Sequence, residues 1–187
     1  MDQSFLVGFL VGLIGALIGG LAEAGFSYLF EGLRYRREER RRWLKTALEW
    51  AATGRKESMR QANLRGALLR GVDLARADLS YANLCKAHLR DGDLSEAQLR
   101  GADLREASLR GANLVRANLR RANLTSAYLY EADLSEANLS KSDLSKARLH
   151  KADLREANLE EAKVTDEQLA QAKSLKGTTM PDGTKHD

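Results

Sequence analysis

Hydrophobic residues recur at every fifth position through most of the chain. Leucine occupies each fifth residue from Leu64 to Leu159, and Val164 completes a series of twenty-one centres. Alanine stands two residues before eighteen of these centres, and Asn or Asp stands directly before fourteen. An α-helix would spread such leucines around its surface, and a strand would send alternate ones to opposite faces. Only a chain that turns regularly can bury them all on one side, and Asn and Asp favour turns.

The repeated unit, Ala-(Asn/Asp)-Leu-X-X, as in 112–116, resembles that of the pentapeptide-repeat family and covers residues 62–164. The resemblance implies a mainly β fold, a right-handed quadrilateral parallel β-helix with four units per coil. In it the leucine and the alanine point inward and the other three positions face solvent. Seven units lack Asn or Asp before the leucine, and five of them are spaced by twenty residues, which supports four units per coil: Leu68, His88, Ser108, Tyr128 and Arg148. Twenty-one units would form just over five coils, roughly 25 Å long at the usual strand spacing.

Residues 1–33 are predicted to form a transmembrane helix. The stretch from Phe5 to Phe30 carries one charge, Glu23, and a spanning helix needs about 20 mostly apolar residues. A cleaved signal peptide would begin with a basic stretch, whereas only Asp2 precedes this run.

Small residues form a stripe along one face of this predicted helix, at spacings of three and four: Gly8, Gly12, Gly15, Gly19 and Ala22. Such a stripe lets helix backbones approach closely in lipid and predicts a homo-oligomer; glycine is also simply common in membrane helices. Glu23 follows near the same face. It marks either the cytoplasmic interface or an intramembrane site, because ionisable residues inside spans are commonly functional.

A basic neck and cap helix are predicted for residues 34–61. The neck begins with a cluster of arginines that flanks the apolar run: Arg34, Arg36, Arg37, Arg40, Arg41 and Arg42. Clustered arginines mark the cytoplasmic flank, so the N-terminus is expected outside, the repeats in the cytoplasm and the arginines against lipid headgroups. Apolar residues at helical spacing follow. The tryptophans among them could lie at the membrane interface or at the open end of the repeats, and capping of that end is the favoured role for Leu44, Leu48 and Trp50.

Residues 165–187 are predicted to form a C-terminal cap helix and a loose tail. A capping box at 165–168 opens a short helix through about Lys173, which can lay Leu169 on the last coil. Residues 180–184 then indicate a turn.

Charge and composition narrow the functional classes. The single cysteine, Cys85, excludes an internal disulfide framework. Some pentapeptide-repeat proteins mimic DNA and protect topoisomerases, a role that needs a strongly acidic surface. Residues 62–164 instead carry 17 basic and 15 acidic residues, so topoisomerase protection is disfavoured. No nucleic-acid partner is expected, because the basic neck is already explained as the flank of a membrane span. No enzymatic activity, cofactor or metal is predicted, because the three histidines of the chain form no cluster that could act in catalysis or hold a metal: His88, His150 and His186.

The units that lack Asn or Asp define a candidate partner face. Its members combine arginine, tyrosine and histidine: Arg70, His88, Arg90, Arg110, Tyr128, Tyr130, Arg148 and His150. Such a face could dock an acidic protein surface, lipid headgroups or nucleic acid, or it could be a solvated face that tolerates substitution. A second column is expected to form a structural ladder of ion pairs: Arg76, Glu96, Arg116, Glu136 and Glu156.

Two functions remain open from the sequence. The first is a membrane-anchored scaffold whose partners are membrane lipid, other copies of the chain and an unidentified cytoplasmic protein. The second is an oligomeric membrane pore in which Glu23 lies near the ion path, as carboxylate rings do in cation channels.

Overall fold

The computed structural model divides the chain into two compact units, Met1–Glu39 and Arg40–Asp187. The residues that it describes are 38–39, 41–49, 51 and 58–187. The predicted transmembrane segment therefore lies outside the described residues. Among those that are described, no helix is both long and apolar enough to cross a membrane.

The repeats form a coil in which residues twenty positions apart lie side by side. Single-residue parallel bridges join the residue before each leucine to its counterpart one coil further on, beginning with Asn63 and Asn83. The Leu64 N–H donates to the Asn83 carbonyl, and the Asn83 N–H donates back to the Ala62 carbonyl, both at 2.8 Å. Twenty residues are four pentapeptides, so the prediction of four units per coil is confirmed.

A tight turn closes every unit, because the leucine carbonyl accepts from the N–H three residues later. In one such turn the Ala117 N–H donates to Leu114 at 3.0 Å. The corner residue, two after the leucine, has a positive φ, for example 59° at Arg116. Its own N–H donates to the next coil, from Arg116 to Ser135 at 3.0 Å. The unusual dihedral thus belongs to the corner residue and not to the Asn or Asp of the unit.

The side chains of the Asn and Asp residues before the leucines also stabilise the turns. In all fourteen units that carry one before the leucine, its Oδ1 accepts from the backbone N–H two residues later, at 2.9–3.4 Å. The predicted turn role of these residues is confirmed. The bond stiffens the chain just before the corner, which lowers the entropy cost of repeating the turn.

Each coil has four sides, which we number in the order in which the chain reaches them. Face 1 is centred on Met59 and Leu79, face 2 on Leu64 and Leu84, face 3 on Leu69 and Leu89, and face 4 on Leu74 and Leu94, each continuing in steps of twenty residues. The leucines and the residues two before them fill the axis and are buried. Faces 1 and 3 are opposite sides of the coil, as are faces 2 and 4.

At the N-terminal end the coil begins one unit earlier than the predicted boundary at residue 62. Met59 is fully buried and its N–H donates to the Asp78 carbonyl at 3.0 Å. Helix α1, described over 41–49 with residues 38–39 and 51 also helical, belongs to the amphipathic neck. Ala47 is fully buried in the core cluster of the coil, as expected of a cap helix.

Only part of the predicted cap makes that contact. Leu44 packs against the core, but Leu48 is 50% exposed, so its predicted capping role is wrong. The buried Ala47 lets the helix approach the coil closely, and this leaves Leu48 at the rim of the contact. Trp50 lies outside the described residues.

At the C-terminal end helix α2, Asp166–Leu169, is shorter than predicted. Its capping box is confirmed, because Thr165 and Gln168 bond each other's backbone N–H, and Leu169 is buried. The chain then returns to the coil, where Ser174 pairs with Asp153 and Thr179 with Asn158. The open backbone edge of the last coil takes these partners, which explains why the helix ends before Lys173. The predicted loose tail instead closes with an antiparallel bridge between Thr179 and Lys185.

Replacing a buried leucine should weaken the whole coil. Leu114 is fully buried at mid-height, so Leu114→Ala should lower the free energy of unfolding by roughly 2–5 kcal/mol through lost burial and a cavity. Urea unfolding followed by circular dichroism measures this. Leu68 is 73% exposed, and Leu68→Ala, the matched control, should change stability by less than about 0.5 kcal/mol. Equal losses in the two variants would contradict the assigned inward and outward positions.

Stability should fall in acid partly through Asp153. Burial would raise the pKa of Asp153, but hydrogen bonds from Arg155 and the charges of Arg155 and Lys173 outweigh it and hold the pKa below its usual range. A depressed carboxyl pKa stabilises the fold above the unfolded value, about 3.9, and this contribution disappears as pH falls through the folded value.

Asp153→Asn should therefore lower the free energy of unfolding by about 1–2 kcal/mol at pH 7 and leave it close to wild type at pH 2. Urea unfolding at a series of pH values tests this. Asp73→Asn, at an exposed position of the same column, controls for the substitution itself. A constant difference between Asp153→Asn and wild type across the pH range would refute the assignment.

Candidate binding face

Face 3 brings together the outward residues that depart from the repeat. Leu68, His88, Ser108, Tyr128 and Arg148 are joined in that order by parallel bridges. The eight predicted partner residues all lie on this face, and all are exposed except Tyr130, which is half-buried. The alignment predicted from twenty-residue spacing is therefore confirmed, and these side chains form one continuous surface.

The arginines at the N-terminal end of face 3 are partly neutralised by corner carboxylates. Arg70 and Arg90 both contact Asp91, at 3.4 and 3.3 Å, and Arg110 lies 3.7 Å from Glu131. These carboxylates were not among the residues predicted for the face. Both could have been found from their position two residues after a leucine. A residue at this corner lies next to the residues that directly follow the leucines of the same face.

The C-terminal end of face 3 is an aromatic and cationic cluster, which we call the tyrosine cluster: Tyr128, Tyr130, Arg148 and His150. The Arg148 Nη1 donates to the Tyr130 hydroxyl at 3.1 Å, and its guanidinium lies 5.0 Å from the centre of the Tyr128 ring. The Tyr130 and His150 rings meet edge to face at 6.4 Å. The hydrogen bond with Tyr130 also raises the pKa of Arg148 above its ordinary value.

Helix α2 borders the tyrosine cluster on its C-terminal side. The Gln168 Nε2 donates to the carbonyls of Leu144 and Ala147, both at 2.8 Å, and so fixes the helix beside the last coil. The cluster therefore sits between stacked coils and a pinned helix. Exposed tyrosine and arginine held in this way are the residue types that dominate binding energy at protein interfaces.

Face 4 contains the predicted ion-pair ladder, and its pairing is confirmed at two steps. Arg76 lies 2.9 Å from Glu96, and Arg116 lies 2.8 Å from Glu136. These groups are exposed and screened by solvent, so the pairs contribute little to stability. The outward positions of face 4 carry seven acidic and three basic residues, which makes it the acidic side of the coil.

The remaining predicted sites are only partly within the described residues. Arg41 and Arg42 lie exposed on α1, and the Arg42 guanidinium is 5.9 Å from the centre of the Trp43 ring. Within the described ranges no group of His, Cys, Asp and Glu could hold a metal ion. The other candidates fall outside those ranges: Gly8, Gly12, Gly15, Gly19, Ala22, Glu23, Arg34, Arg36, Arg37 and Arg40.

Comparison with solved structures gives pentapeptide-repeat proteins. Rfr23 of the cyanobacterium Cyanothece is 34% identical over 54% of this chain and 64% of its own, with a TM-score of 0.43. HetL of Nostoc, involved in heterocyst differentiation regulation, is 39% identical over 68% of this chain and 65% of its own, with a TM-score of 0.30. The chain thus covers less than two thirds of either relative. Comparison with curated proteins gives no match.

The family described as pentapeptide repeats matches residues 58–91, 92–129 and 127–166, in eight copies and over more than half of the chain. The matched region begins beside Met59, where the coil begins. Proteins of this family fold as right-handed quadrilateral β-helices. The five-residue unit, the four-unit coil and this match together show that the chain belongs to the pentapeptide-repeat family.

Proposed function

We propose that the protein is a non-enzymatic scaffold, anchored in a membrane by residues 1–33, whose coil presents face 3 to a protein partner in the cytoplasm. Proteins of the family are generally non-enzymatic interaction proteins, which supports the class. The observation that carries the proposal is the tyrosine cluster, an exposed set of binding-type side chains fixed in place by the coil.

The backbone holds this cluster ready for a partner. The Tyr128 N–H donates to Ala107 and the Arg148 N–H donates to Ala127, both at 2.9 Å, so each residue is tied to the coil before it. Tyr128 remains 38% exposed, with a cation against its ring. Side chains that are ordered before binding lose little entropy when a partner arrives.

The anchor and its orientation are proposed from the sequence of the first 42 residues. The long apolar run supports a single span, and the arginines that follow it support a cytoplasmic coil with headgroup contacts at the neck. The stripe of small residues supports self-association of the span. In such an assembly, several copies of face 3 would lie near one membrane patch and bind a multivalent partner more tightly than one copy.

The partner face is tested by photo-cross-linking in the native membrane. A photoreactive phenylalanine analogue in place of Tyr128 should give one discrete adduct, and Arg90→Ser with Arg110→Ser should reduce its yield at least fivefold. The same analogue at Glu106, an exposed corner of face 2, is the control and should not give that adduct. An identical adduct pattern from both positions, or a yield insensitive to the arginines, would rule out face 3 as the partner face.

The predicted self-association is tested in the membrane segment. Gly12→Leu with Gly15→Leu should shift the protein to smaller assemblies in lipid nanodiscs, because leucine side chains keep helix backbones apart. Native mass spectrometry measures the assembly. Gly20 lies about 120° away from the stripe on a helix of 3.6 residues per turn, so Gly20→Leu is the matched control and should leave the assembly unchanged. An unchanged mass in the double variant would remove the stripe from the proposal.

A further inference from the structure

Face 1, on the side of the coil opposite face 3, carries arginines that have no side-chain partner among the described residues. Arg100 and Arg120 follow the leucines of adjacent coils, and Arg121 occupies the corner next to Arg120. In the described part of the chain, none of the three guanidinium groups has an ion pair or hydrogen bond with another side chain. The Nε of Arg120 is even buried in the surface layer without an acceptor.

The cause lies in what is stacked above and below them. Several cations elsewhere on the coil have a carboxylate one coil away, as Lys86 has Glu106 at 3.4 Å. Among the residues that directly follow the leucines of face 1, Ser80 lies one coil before Arg100 and Ser140 one coil after Arg120. Among the corner residues, Arg121 lies between a glycine and a lysine. Cations on adjacent coils, about 4.8 Å apart along the axis, repel each other, so an external carboxylate would stabilise them.

An aromatic residue extends this patch toward the N-terminal end. Tyr81 is 45% exposed, and its ring lies so close over Gly101 that a side chain there would collide with it. The Arg60 guanidinium stands 5.3 Å from the centre of the same ring. Beside the arginines runs a neutral amide column, in which the Asn118 Nδ2 donates to the Gln98 Oε1 at 3.0 Å. The patch therefore offers cations, a flat ring and amide groups together.

We propose that face 1 binds a short acidic segment of a second protein through Arg100, Arg120 and Arg121, with Tyr81 against its chain. Guanidinium groups pair with carboxylates through two parallel hydrogen bonds, and none of these three makes such a pair among the described residues. The patch is short, because Asp78 and Glu160 stand at its two ends on the same face. Those carboxylates would repel a long polyanion or a flat anionic membrane, which favours a segment of a few residues.

The test uses the full chain in neutral detergent micelles and a fluorescein-labelled peptide of four glutamates. Fluorescence anisotropy should show binding of this peptide, and the tetraglutamine peptide should bind at least tenfold more weakly. The triple variant Arg100→Ser, Arg120→Ser, Arg121→Ser should weaken binding of the glutamate peptide at least tenfold. Serine is a native residue at both kinds of position, as at Ser80 and Ser126, so the coil should remain folded.

The matched control removes the same charge elsewhere. Arg105→Ser, Arg155→Ser and Arg116→Ser replace two arginines after leucines and one at a corner, each of which is paired in the fold. This variant should bind the peptide within twofold of wild type, with circular dichroism confirming that both variants are folded. Equal losses in the two triple variants, or no binding by wild type, would overturn the proposal. A different result would be that an eight-nucleotide oligothymidine or nanodiscs with anionic lipid bind more tightly than the glutamate peptide and lose this binding in the first triple variant. That ligand would then replace the acidic segment in the proposal.

Discussion

The burial of one leucine in every five residues is the constraint on which the rest of this structure depends. The chain can bring the next leucine to the axis only by turning between the two, and the turn requires a positive φ at the corner. All corners from Gln61 to Glu161 have φ of 56–66°, and seventeen of them are not glycine. A left-handed conformation costs such a residue roughly 1–2 kcal/mol. Leucine burial, of order 1.5–3 kcal/mol per side chain, and the backbone bonds between coils offset that cost.

Because packing uses only the inward positions, the outward positions are free to differ from face to face. Face 4 is acidic and internally paired along its ladder, and the arginines of face 3 are partly neutralised by Asp91 and Glu131. Face 1 alone stacks Arg100 against Arg120 without a carboxylate between them. Exposed pairs contribute little to stability, so stability cannot explain why the faces differ. The proposal that faces 1 and 3 bind other molecules would give these differences a physical role.

Most of the coil could be predicted from the sequence, since period five leaves few ways to bury leucine and the twenty-residue recurrence of atypical units reveals the coil length. The structure of the two ends could not be predicted in this way, because it depends on contacts between residues that do not follow the five-residue period. Met59 replaces leucine in the first unit, and Ser174 rejoins the coil after a helix that breaks the spacing. Leu48 fits a helical apolar stripe, yet which part of that stripe touches the coil depends on the close approach at Ala47. The unpaired arginines of face 1 were missed for a related reason. That an arginine lacks an ion-pair partner can be recognised only when the residues twenty positions before and after it are known to be its neighbours.

Faces 1 and 3 lie on opposite sides of the same coil, so ligands on the two sides would not compete for space. Each side chain on these faces belongs to a backbone hydrogen-bonded to the coils before and after it, as Gly101 is to Arg120 and Tyr128 to Ala107. Two partners bound in this way would be held at a separation fixed by the width of the coil. A rigid connection of that kind raises the effective concentration of one partner near the other without any contact between them. A solenoid with unlike faces can therefore act as a scaffold even when each face binds weakly, and confinement to a membrane would strengthen the effect by restricting where both partners can diffuse.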